Sequence, residues 1–411
     1  MRQGAEVWEL SDIQSLGELR PAWEELLLSC SDASIFNTWE WLSSWWDAYG
    51  ANKELMVLAF PDRDGRLLAL APLFFDRKAL APGRALKEIR LMGDGSGDSD
   101  NLALLIRPGF EEKCTHKLLD YLKSNADRWD ICCFNTMDPE STGARYLIES
   151  LRKNNWPVYS SFVPWSTIAL PETWELYLKS LSRNERGRIG RLTRRLEKLY
   201  QVRFYKCTQL SELPRCLDVL FELHAKRWGL HGEGGSFSVE ERCNFYRDMA
   251  TRFLEKEWLE FWLLEIDKRT VACLFGFRYR QTIYTLQEGF DPEYYSDSVG
   301  YVLRSYVLKR YIEEGIRRYD FLGGKDPSKE RWGASVGSYV NVNFARSLSF
   351  GSLYLNLKQR SVEAKEGLRR VMPQRAWAVM RNLNHRLHGK APKRDDAGIG
   401  GKGENSSADE N

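Results

Sequence analysis

The chain has 411 residues, of which 43% are hydrophobic and 28% charged, and 60 basic residues against 57 acidic ones give a formal net charge of +3. This composition excludes a chain that is disordered throughout, a collagen and a coiled-coil rod. The near balance of charge argues against a dedicated nucleic-acid-binding protein, which would carry a strong basic excess. The length predicts about two to three domains.

Neither a targeting segment nor a metal site is indicated. Residues 1–12 lack the apolar stretch of a signal peptide, and no apolar run approaches the roughly 18 residues that a membrane span requires. The eight cysteines include no C-x-x-C pair and there are only five histidines, which argues against a zinc site. Cys132, Cys133 and Cys273 lie in apolar strand-like runs, where free cysteine acts as a small hydrophobe. We therefore expect a soluble cytoplasmic protein in a reducing compartment.

In chain order, the first half predicts helices, a hairpin, a helix and a strand. The corresponding segments are 13–29, 39–49, Leu55–Phe60 with Leu67–Phe75, 110–126 and 128–134. The hairpin turn contains Asp64-Gly65, a dipeptide that favours tight turns. A polar loop with the sequence GDGSGDSDN, residues 93–101, follows the hairpin. It lacks the spacing of a calcium loop, so we interpret it as a plain loop.

The second half repeats this order. Its strands and helix fall at Trp258–Ile266, Val271–Tyr279, Gln281–Phe290, 299–314 and 317–322, with Gly315 ending the helix. The shared order predicts two copies of one α/β unit.

A basic amphipathic helix separates the two copies. Ile189, Leu192, Leu196 and Leu199 form one apolar stripe, and residues 183–198 contain seven basic residues against two acidic ones. Recognition of a phosphate or RNA is one interpretation of this helix; a solvated charged face is the simpler one, which we favour. The last residues, 389–411, have too few apolar side chains to fold and are expected to form a disordered tail.

The start of the predicted helix at 299 is the first candidate site. Residues 296–303 read SDSVGYVL and follow a strand. The first N–H groups of a helix lack internal partners and carry partial positive charge, so they bind phosphates. Gly300 would let a diphosphate approach the backbone. Capping alone also explains Ser and Gly at this position.

Two further motifs contain residue types that support catalysis. Asp320 lies in the apolar run DFLGG, and basic and aromatic residues follow at KERWG, 329–333. Ligands in α/β folds favour such strand ends, although a buried structural carboxylate is the alternative. His224 shares a helix face with Trp228 ahead of a Gly-rich loop, 229–237; a lone His is more often structural than catalytic. Nucleophile-elbow, P-loop, HExxH and kinase motifs do not occur in the sequence.

Taken together, these motifs resemble the GNAT-superfamily acyltransferases of the CelD/BcsL type, which are relatives of FemAB-like proteins. The matching segments are HAKRW at 224–228, EGFDP at 288–292, SVG at 298–300, GIRRYDFLGG at 315–324 and KERW at 329–332, after the basic lead-in at 181–196. The resemblance covers roughly residues 170–345. It departs from the GNAT signature Q/R-x-x-G-x-G/A, because only one of the two glycines is present.

The resemblance implies an α/β fold of two GNAT-like units, each a mixed, mostly antiparallel sheet flanked by helices. The expected division is an N-terminal GNAT-like domain at 1–165, an acyltransferase domain at 166–350, a helical extension at 351–388 and the tail at 389–411.

The implied reaction transfers an acyl group from acetyl-CoA or another acyl-CoA to an amine or hydroxyl of a small molecule or saccharide, without a metal. Candidate bases are Asp320, which we rank first, then Glu288 and His224, with the amides of the strand at Thr285–Phe290 polarising the carbonyl. The residues implied for the coenzyme are Ser298, Val299, Gly300, Tyr301 and Gly289. Those implied for the acceptor are Arg227, Trp228, Lys325, Lys329 and Trp332.

Two alternatives remain open. A FemAB-type aminoacyltransferase would take its donor from aminoacyl-tRNA, and the basic helix at 183–198 would then face nucleic acid; only in that case is a nucleic-acid partner expected. A GNAT-like module without catalytic activity, acting in polysaccharide production, is the second alternative. The sequence does not indicate the acceptor or the oligomeric state.

Overall fold

A computed structural model of the chain describes residues 7–229 and 237–371. The predicted tail at 389–411, residues 372–388 of the predicted extension and most of the Gly-rich loop lie outside the described residues. No helix within the described ranges is both long and apolar enough to cross a membrane.

The described part of the first half, from residue 7 onward, contains seven strands and five α-helices. In chain order they are β1 (Trp8–Leu10), α1 (Ile13–Glu18), α2 (Arg20–Ser29), α3 (Trp39–Tyr49), β2 (Glu54–Pro61), β3 (Leu67–Ala81), β4 (Arg84–Leu91), β5 (Leu105–Ile106), α4 (Glu111–Ser124), β6 (Ile131–Met137), α5 (Thr142–Lys153) and β7 (Val158–Ala169). The predicted helix at 13–29 is two helices, because the chain turns at Leu19 and Pro21 occupies the first turn of α2.

The second half follows the same order with additional helices. It comprises α6 (Trp174–Ser180), α7 (Arg183–Leu199), β8 (Val202–Lys206), α8 (Leu213–Gly229), α9 (Glu240–Glu255), β9 (Leu259–Ile266), β10 (Arg269–Tyr279), β11 (Thr282–Phe290), α10 (Val299–Glu313), β12 (Arg318–Gly323), α11 (Pro327–Arg331), β13 (Ser335–Phe344) and α12 (Phe350–Val371). The predicted repeat of hairpin, strand, helix and strand is confirmed. Gly315 follows α10 with φ +74°, as a glycine after a helix end often does.

The thirteen strands within residues 7–229 and 237–371 form one sheet in the order β1-β2-β3-β4-β6-β13-β7-β12-β11-β10-β9-β8, with β5 added beside β3. Among the described strands, only the β4–β6 and β11–β12 pairs are parallel. The predicted fold class, a mostly antiparallel sheet flanked by helices, is confirmed.

The two halves exchange their last strands. β7 of the first half pairs with β12 of the second, β13 of the second half pairs with β6 of the first, and β7 and β13 pair with each other at the centre of the sheet. The domain boundary expected after residue 165 therefore falls inside a strand that both halves share.

Helices cover both faces of the second-half sheet and define two sides of the site. On one face lie α8 and α9, and α9 packs against α3 of the first half through aromatic contacts such as Trp41–Phe245, with ring centroids 5.1 Å apart. On the other face lie α6, α7 and α10. The apolar stripe of α7 is buried at Ile189, Leu192 and Leu196, while Leu199 is exposed. The predicted amphipathic helix is confirmed.

Candidate functional site

Strands β11 and β12 start side by side and then diverge. They pair over three positions, the last being Tyr284 with Asp320, whereas the rest of β11 pairs only with β10 among the described strands. The β10–β11 register shifts at Gly276, where a Cβ atom would lie 2.2 Å from the Tyr284 carbonyl oxygen. This bulge requires glycine. The divergence leaves one backbone edge of Thr285–Phe290 facing a gap between the strands.

Helix α10 starts at the end of β11, after a short 3-10 turn at Pro292–Asp297. Its N-cap, Ser298, has φ +53°, and its side chain accepts no capping hydrogen bond. A Cβ atom on Gly300 would have only Phe290 within 4 Å. Since no side chain caps this 15-residue helix, its first N–H groups and its dipole remain available to an anion.

The two neighbours of Gly300 have different surroundings. Val299 is buried in the core beneath α10. The Tyr301 hydroxyl donates to Glu185 on α7 at 2.8 Å, and the Tyr301 ring lies 4.3 Å from that of Trp332. Tyr301 therefore ties the start of α10 to α7, and Gly300 is the residue with room around its backbone.

The basic face of α7 lies beside the start of α10. The Arg188 guanidinium is 4.6 Å from the Tyr301 ring centroid, and Arg195 pairs with the buried Asp297 at 3.3 Å. Other basic residues of α7 are exposed and have no carboxylate partner within the described ranges: Arg183, Arg191, Arg194 and Lys198. Arg188 and Arg195 therefore bring positive charge to the uncapped helix terminus, next to the carboxylates of Glu185 and Asp297.

Asp320 is 1% exposed on β12. Its carboxylate accepts hydrogen bonds from the Leu322 N–H at 2.8 Å and from the Arg318 guanidinium at 3.0 Å. Burial raises the pKa of Asp320 to about 6, with the nearby Asp100 adding to the increase and Arg318 opposing it. A carboxyl with this pKa loses its proton near neutral pH, as a general base must.

The backbone after Asp320 is strained. Leu322 is buried with φ +60°, which is unusual for a branched side chain. The Gly323 N–H that follows donates to Asp100 of the first half at 2.7 Å. Burial raises the pKa of Asp100. Two carboxyls, one from each half, therefore border the same turn.

The loop at 93–101 therefore has a structural role that the sequence analysis did not predict. Besides Asp100, it places Asp98 against α9, where the fully buried carboxylate pairs with Arg242 and accepts from the Tyr246 hydroxyl at 2.8 Å. Burial raises the pKa of Asp98, against the opposing charge of Arg242. Sequence reasoning missed this role because the partners are more than 140 residues away; three aspartates within seven residues were the only signal.

Glu288 sits between two guanidiniums. It pairs with Arg304 of α10 and, at 3.3 Å, with Arg227 of α8. Burial would raise the pKa of Glu288, but the two arginines outweigh it and lower the pKa to about 2. Glu288 is therefore a weak base, and its cluster lies in the gap where β11 leaves β12.

His224 is 2% exposed on α8, with the Phe237 ring 4.9 Å away. Burial and the charges of Arg227 and Arg242 lower the pKa of His224 to about 4, against a hydrogen bond with Gln287. The imidazole is therefore neutral at neutral pH and weakly basic. Of the three predicted bases, Asp320 has the pKa closest to neutrality.

The residues expected at the acceptor are spread over the site. Trp332 is 2% exposed beneath Tyr301, and the Lys329 ammonium donates to the carbonyls of Phe321, Gly323 and Gly324. Burial lowers the pKa of Lys329. Two further predicted residues are Lys325, which is exposed 3.8 Å from Glu330, and Trp228, which lies on α8 but whose side chain is outside the described residues.

Gly289 packs against α8. A Cβ atom there would lie 2.8 Å from the Leu223 side chain and 3.0 Å from the backbone nitrogen of His224. Gly289→Ala is expected to lower the free energy of unfolding by about 1–3 kcal/mol, because the core is overpacked. Urea titration measures the change. The matched control is Gly187→Ala on α7, where nothing lies within 4 Å; it should stabilise the protein by about 0.5–1 kcal/mol. Equal effects would contradict the packing argument.

Comparison with known proteins identifies one domain family in the second half of the chain. The family described as the acetyltransferase (GNAT) domain matches residues 183–330, the segment that contains α7, β11, α10, β12 and Asp320. This match supports an acyltransferase. No curated protein sequence matches the chain.

Solved structures with a similar fold include FemX, which aligns over 82% of this chain and 97% of its own with a TM-score of 0.58 at 11% identity. A conserved protein of unknown function from Bacteroides thetaiotaomicron aligns over 79% of this chain and 97% of its own, with a TM-score of 0.52 at 13% identity. A tandem GNAT protein from the clavulanic acid biosynthesis pathway aligns with a TM-score of 0.44 at 12% identity, over 82% and 97% of the two chains. At these identities the likeness to FemX and to the Bacteroides protein concerns the fold alone.

Proposed function

We propose that the protein is an acyl-CoA-dependent acyltransferase of the GNAT type, with acetyl-CoA as the expected donor and an amine or hydroxyl of a small molecule or saccharide as the acceptor. The observation that carries the proposal is the divergence of β11 from β12 beside the uncapped start of α10. A sugar or polysaccharide precursor of the cell envelope is the acceptor class that the CelD/BcsL resemblance suggests. The free state of all eight cysteines favours a reducing, cytoplasmic setting.

The residues present fit an acyl-CoA. The N–H groups at Val299, Gly300 and Tyr301 would bind the diphosphate, and the unpaired edge of Thr285–Phe290 would hold the thioester carbonyl. Acyl-CoA supplies the acyl group as an activated thioester. Arg188 and Arg191 of α7 would add positive charge around the phosphates.

Asp320 would take the proton from the attacking group. In the proposed step the acceptor nitrogen or oxygen bonds to the carbonyl carbon, the C–S bond breaks, the acceptor proton passes to Asp320, and the thiolate of coenzyme A leaves and is protonated. Positioning supplies much of the rate in such a transfer. Glu288 and Arg304 would hold the gap open, and His224 would support β11 through Gln287.

We assign different roles to the two halves. In this proposal residues 166–350 form the catalytic domain, and the first half, 1–165, contributes the loop at 93–101 that carries Asp98 and Asp100. Residues 351–388 would form the helical extension, of which α12 is the described part.

A turnover assay tests the proposal. Purified protein is incubated with acetyl-CoA and a panel of amino sugars and amines, and the released thiol is followed. We expect acceptor-dependent thiol release, which Gly300→Glu should strongly reduce at subsaturating acetyl-CoA. Absence of acetyl-CoA binding in a thermal shift assay, where saturating ligand should stabilise by about 2–3 kcal/mol, would favour the module without catalytic activity.

The basic face of α7 supports a second candidate function. Its unpaired arginines fit the phosphates of an aminoacyl-tRNA, the donor of FemAB-type aminoacyltransferases. In that case nucleic acid should co-purify at low salt, and tRNA should bind with an affinity that falls steeply with salt. Arg194→Ala together with Lys198→Ala should then weaken tRNA binding while leaving acetyl-CoA binding unchanged.

A further inference from the structure

The strand exchange at the centre of the sheet exposes an indole that no prediction included. Trp165 lies on β7, half-buried, and its six-membered ring covers Gly337 of β13. A Cβ atom on Gly337 would lie 2.2 Å from that ring. Gly337 therefore provides the space in which the indole lies across the bare backbone of the neighbouring strand.

The indole is directly connected to the candidate base. The Arg318 guanidinium lies over the Trp165 ring, 5.1 Å from its centroid, and donates to the Asp320 carboxylate at 3.0 Å. The same guanidinium donates to the Thr167 hydroxyl at 3.0 Å. Arg318 is 44% exposed and covers the buried Asp320, so a ligand beside the indole would contact the guanidinium first.

Short polar side chains flank the indole on the same face. Successive residues of a strand alternate between faces, so Ser161, Thr167 and Trp165 of β7 share one. Asn341 donates to the Ser161 hydroxyl at 3.1 Å, and Ser335 donates to the Thr167 carbonyl at 3.2 Å. The centroid of the Tyr339 ring lies 5.9 Å from that of Trp165, on the same face of the sheet. The row offers hydroxyl and amide groups around one aromatic plane.

We infer that this row is the acceptor site and that it takes a saccharide ring, an inference that rests on the proposed function. The C–H face of a pyranose would pack on the part of the Trp165 ring that Arg318 leaves uncovered, and its hydroxyls would bond to Arg318, Thr167 and Ser335. Arg318 disfavours an acceptor that carries only positive charge. Trp165 is thus a specificity-determining residue, and Arg318 positions both the sugar and Asp320.

Saturation-transfer NMR with D-glucosamine tests this assignment, with ethanolamine as an amine that lacks a ring. We expect saturation of the glucosamine ring protons in the wild type. Trp165→Ala should weaken glucosamine binding by about tenfold, and Trp165→Phe should recover part of it. Phe162→Ala is the matched control, because Phe162 is an exposed aromatic on the opposite face of the same strand. Ethanolamine should be insensitive to all three substitutions.

Acetyl-CoA binding separates this inference from the proposed function. Trp165→Ala should keep the wild-type thermal shift with acetyl-CoA, which also shows that the variant is folded. If the wild type does not bind glucosamine, or if Trp165→Ala binds it as well as the wild type does, the saccharide site is wrong even where acetyl-CoA binds. If acetyl-CoA fails to bind the wild type, the proposed function is wrong.

Discussion

Asp320→Asn is expected to lower turnover by about 10²-fold or more, because the amide cannot accept the proton that the acceptor loses. Acetyl-CoA binding should be unchanged, since the proposed function assigns Asp320 to the acceptor and the start of α10 to the coenzyme. The substitution keeps the size of the side chain and the oxygen that accepts from the Leu322 N–H. Steady-state kinetics measured with thiol detection give the effect.

The pH dependence of kcat/KM tests whether Asp320 is the general base. The pKa of Asp320 is raised to about 6, so kcat/KM of the wild type should rise as pH increases through that value, and this limb should be missing in Asp320→Asn. Asp64→Asn in the exposed β2–β3 turn is the matched control and should leave the profile unchanged. Wild-type turnover and an unchanged limb in Asp320→Asn would remove Asp320 from this role.

The same titration affects stability. The pKa of Asp320 in the folded protein, about 6, is above its ordinary value of 3.8, so the protonated carboxyl favours the fold. This contribution is complete below about pH 4 and is lost as pH rises through about 6. Between those limits the wild type should lose about 3 kcal/mol of unfolding free energy relative to Asp320→Asn. Urea titrations of both proteins at each pH measure this difference.

Asp98→Ala is expected to lower the free energy of unfolding by about 3–5 kcal/mol. The substitution leaves the Arg242 guanidinium, which is 17% exposed, and the buried Tyr246 hydroxyl without their carboxylate partner. Because Asp98 belongs to the first half and Arg242 to the second, the loss weakens the contact between the halves. Turnover should fall as well, since the loop also carries Asp100.

A double-mutant cycle separates the ion pair from general damage to the loop. Asp98→Ala combined with Arg242→Ala should cost at least 1 kcal/mol less than the sum of the single substitutions. Glu241→Ala, an exposed carboxylate next to Arg242 on α9, is the control and should change stability by less than about 0.5 kcal/mol. Additive effects of the two substitutions would show that Asp98 and Arg242 do not interact in solution.

Local patterns predicted the elements that carry the repeat. The two hairpins, the helix at Val299–Glu313 and the amphipathic helix at 183–199 follow from alternation, turn dipeptides and helical spacing. The sequence motif at Gly300 correctly identified the start of a helix. These features depend on residues that are close together in the chain, so they can be predicted from a single sequence.

Contacts between distant residues were not predictable in this way. β7 lacks a clear alternation of apolar and polar residues. β13 alternates over Val340–Phe344, but nothing in the sequence indicates that it pairs with β6 and β7 of the other half. Trp165 was therefore not selected as a site residue, and the segment at 93–101 was interpreted as a plain loop. The pairings of Asp100 with Gly323 and of Asp98 with Arg242 join residues far apart in the chain.

Calorimetric titration of coenzyme A into the wild type and Gly300→Glu tests the central claim most directly. Space around Gly300 admits the new side chain, and a carboxylate in the first turn favours helix stability while repelling a diphosphate. We predict that the wild type binds coenzyme A and that Gly300→Glu, with its fold intact, binds it at least about tenfold more weakly. Gly300→Ala should lose less of the affinity for coenzyme A. Equal affinity of the wild type and Gly300→Glu, or no binding to the wild type, would contradict the account.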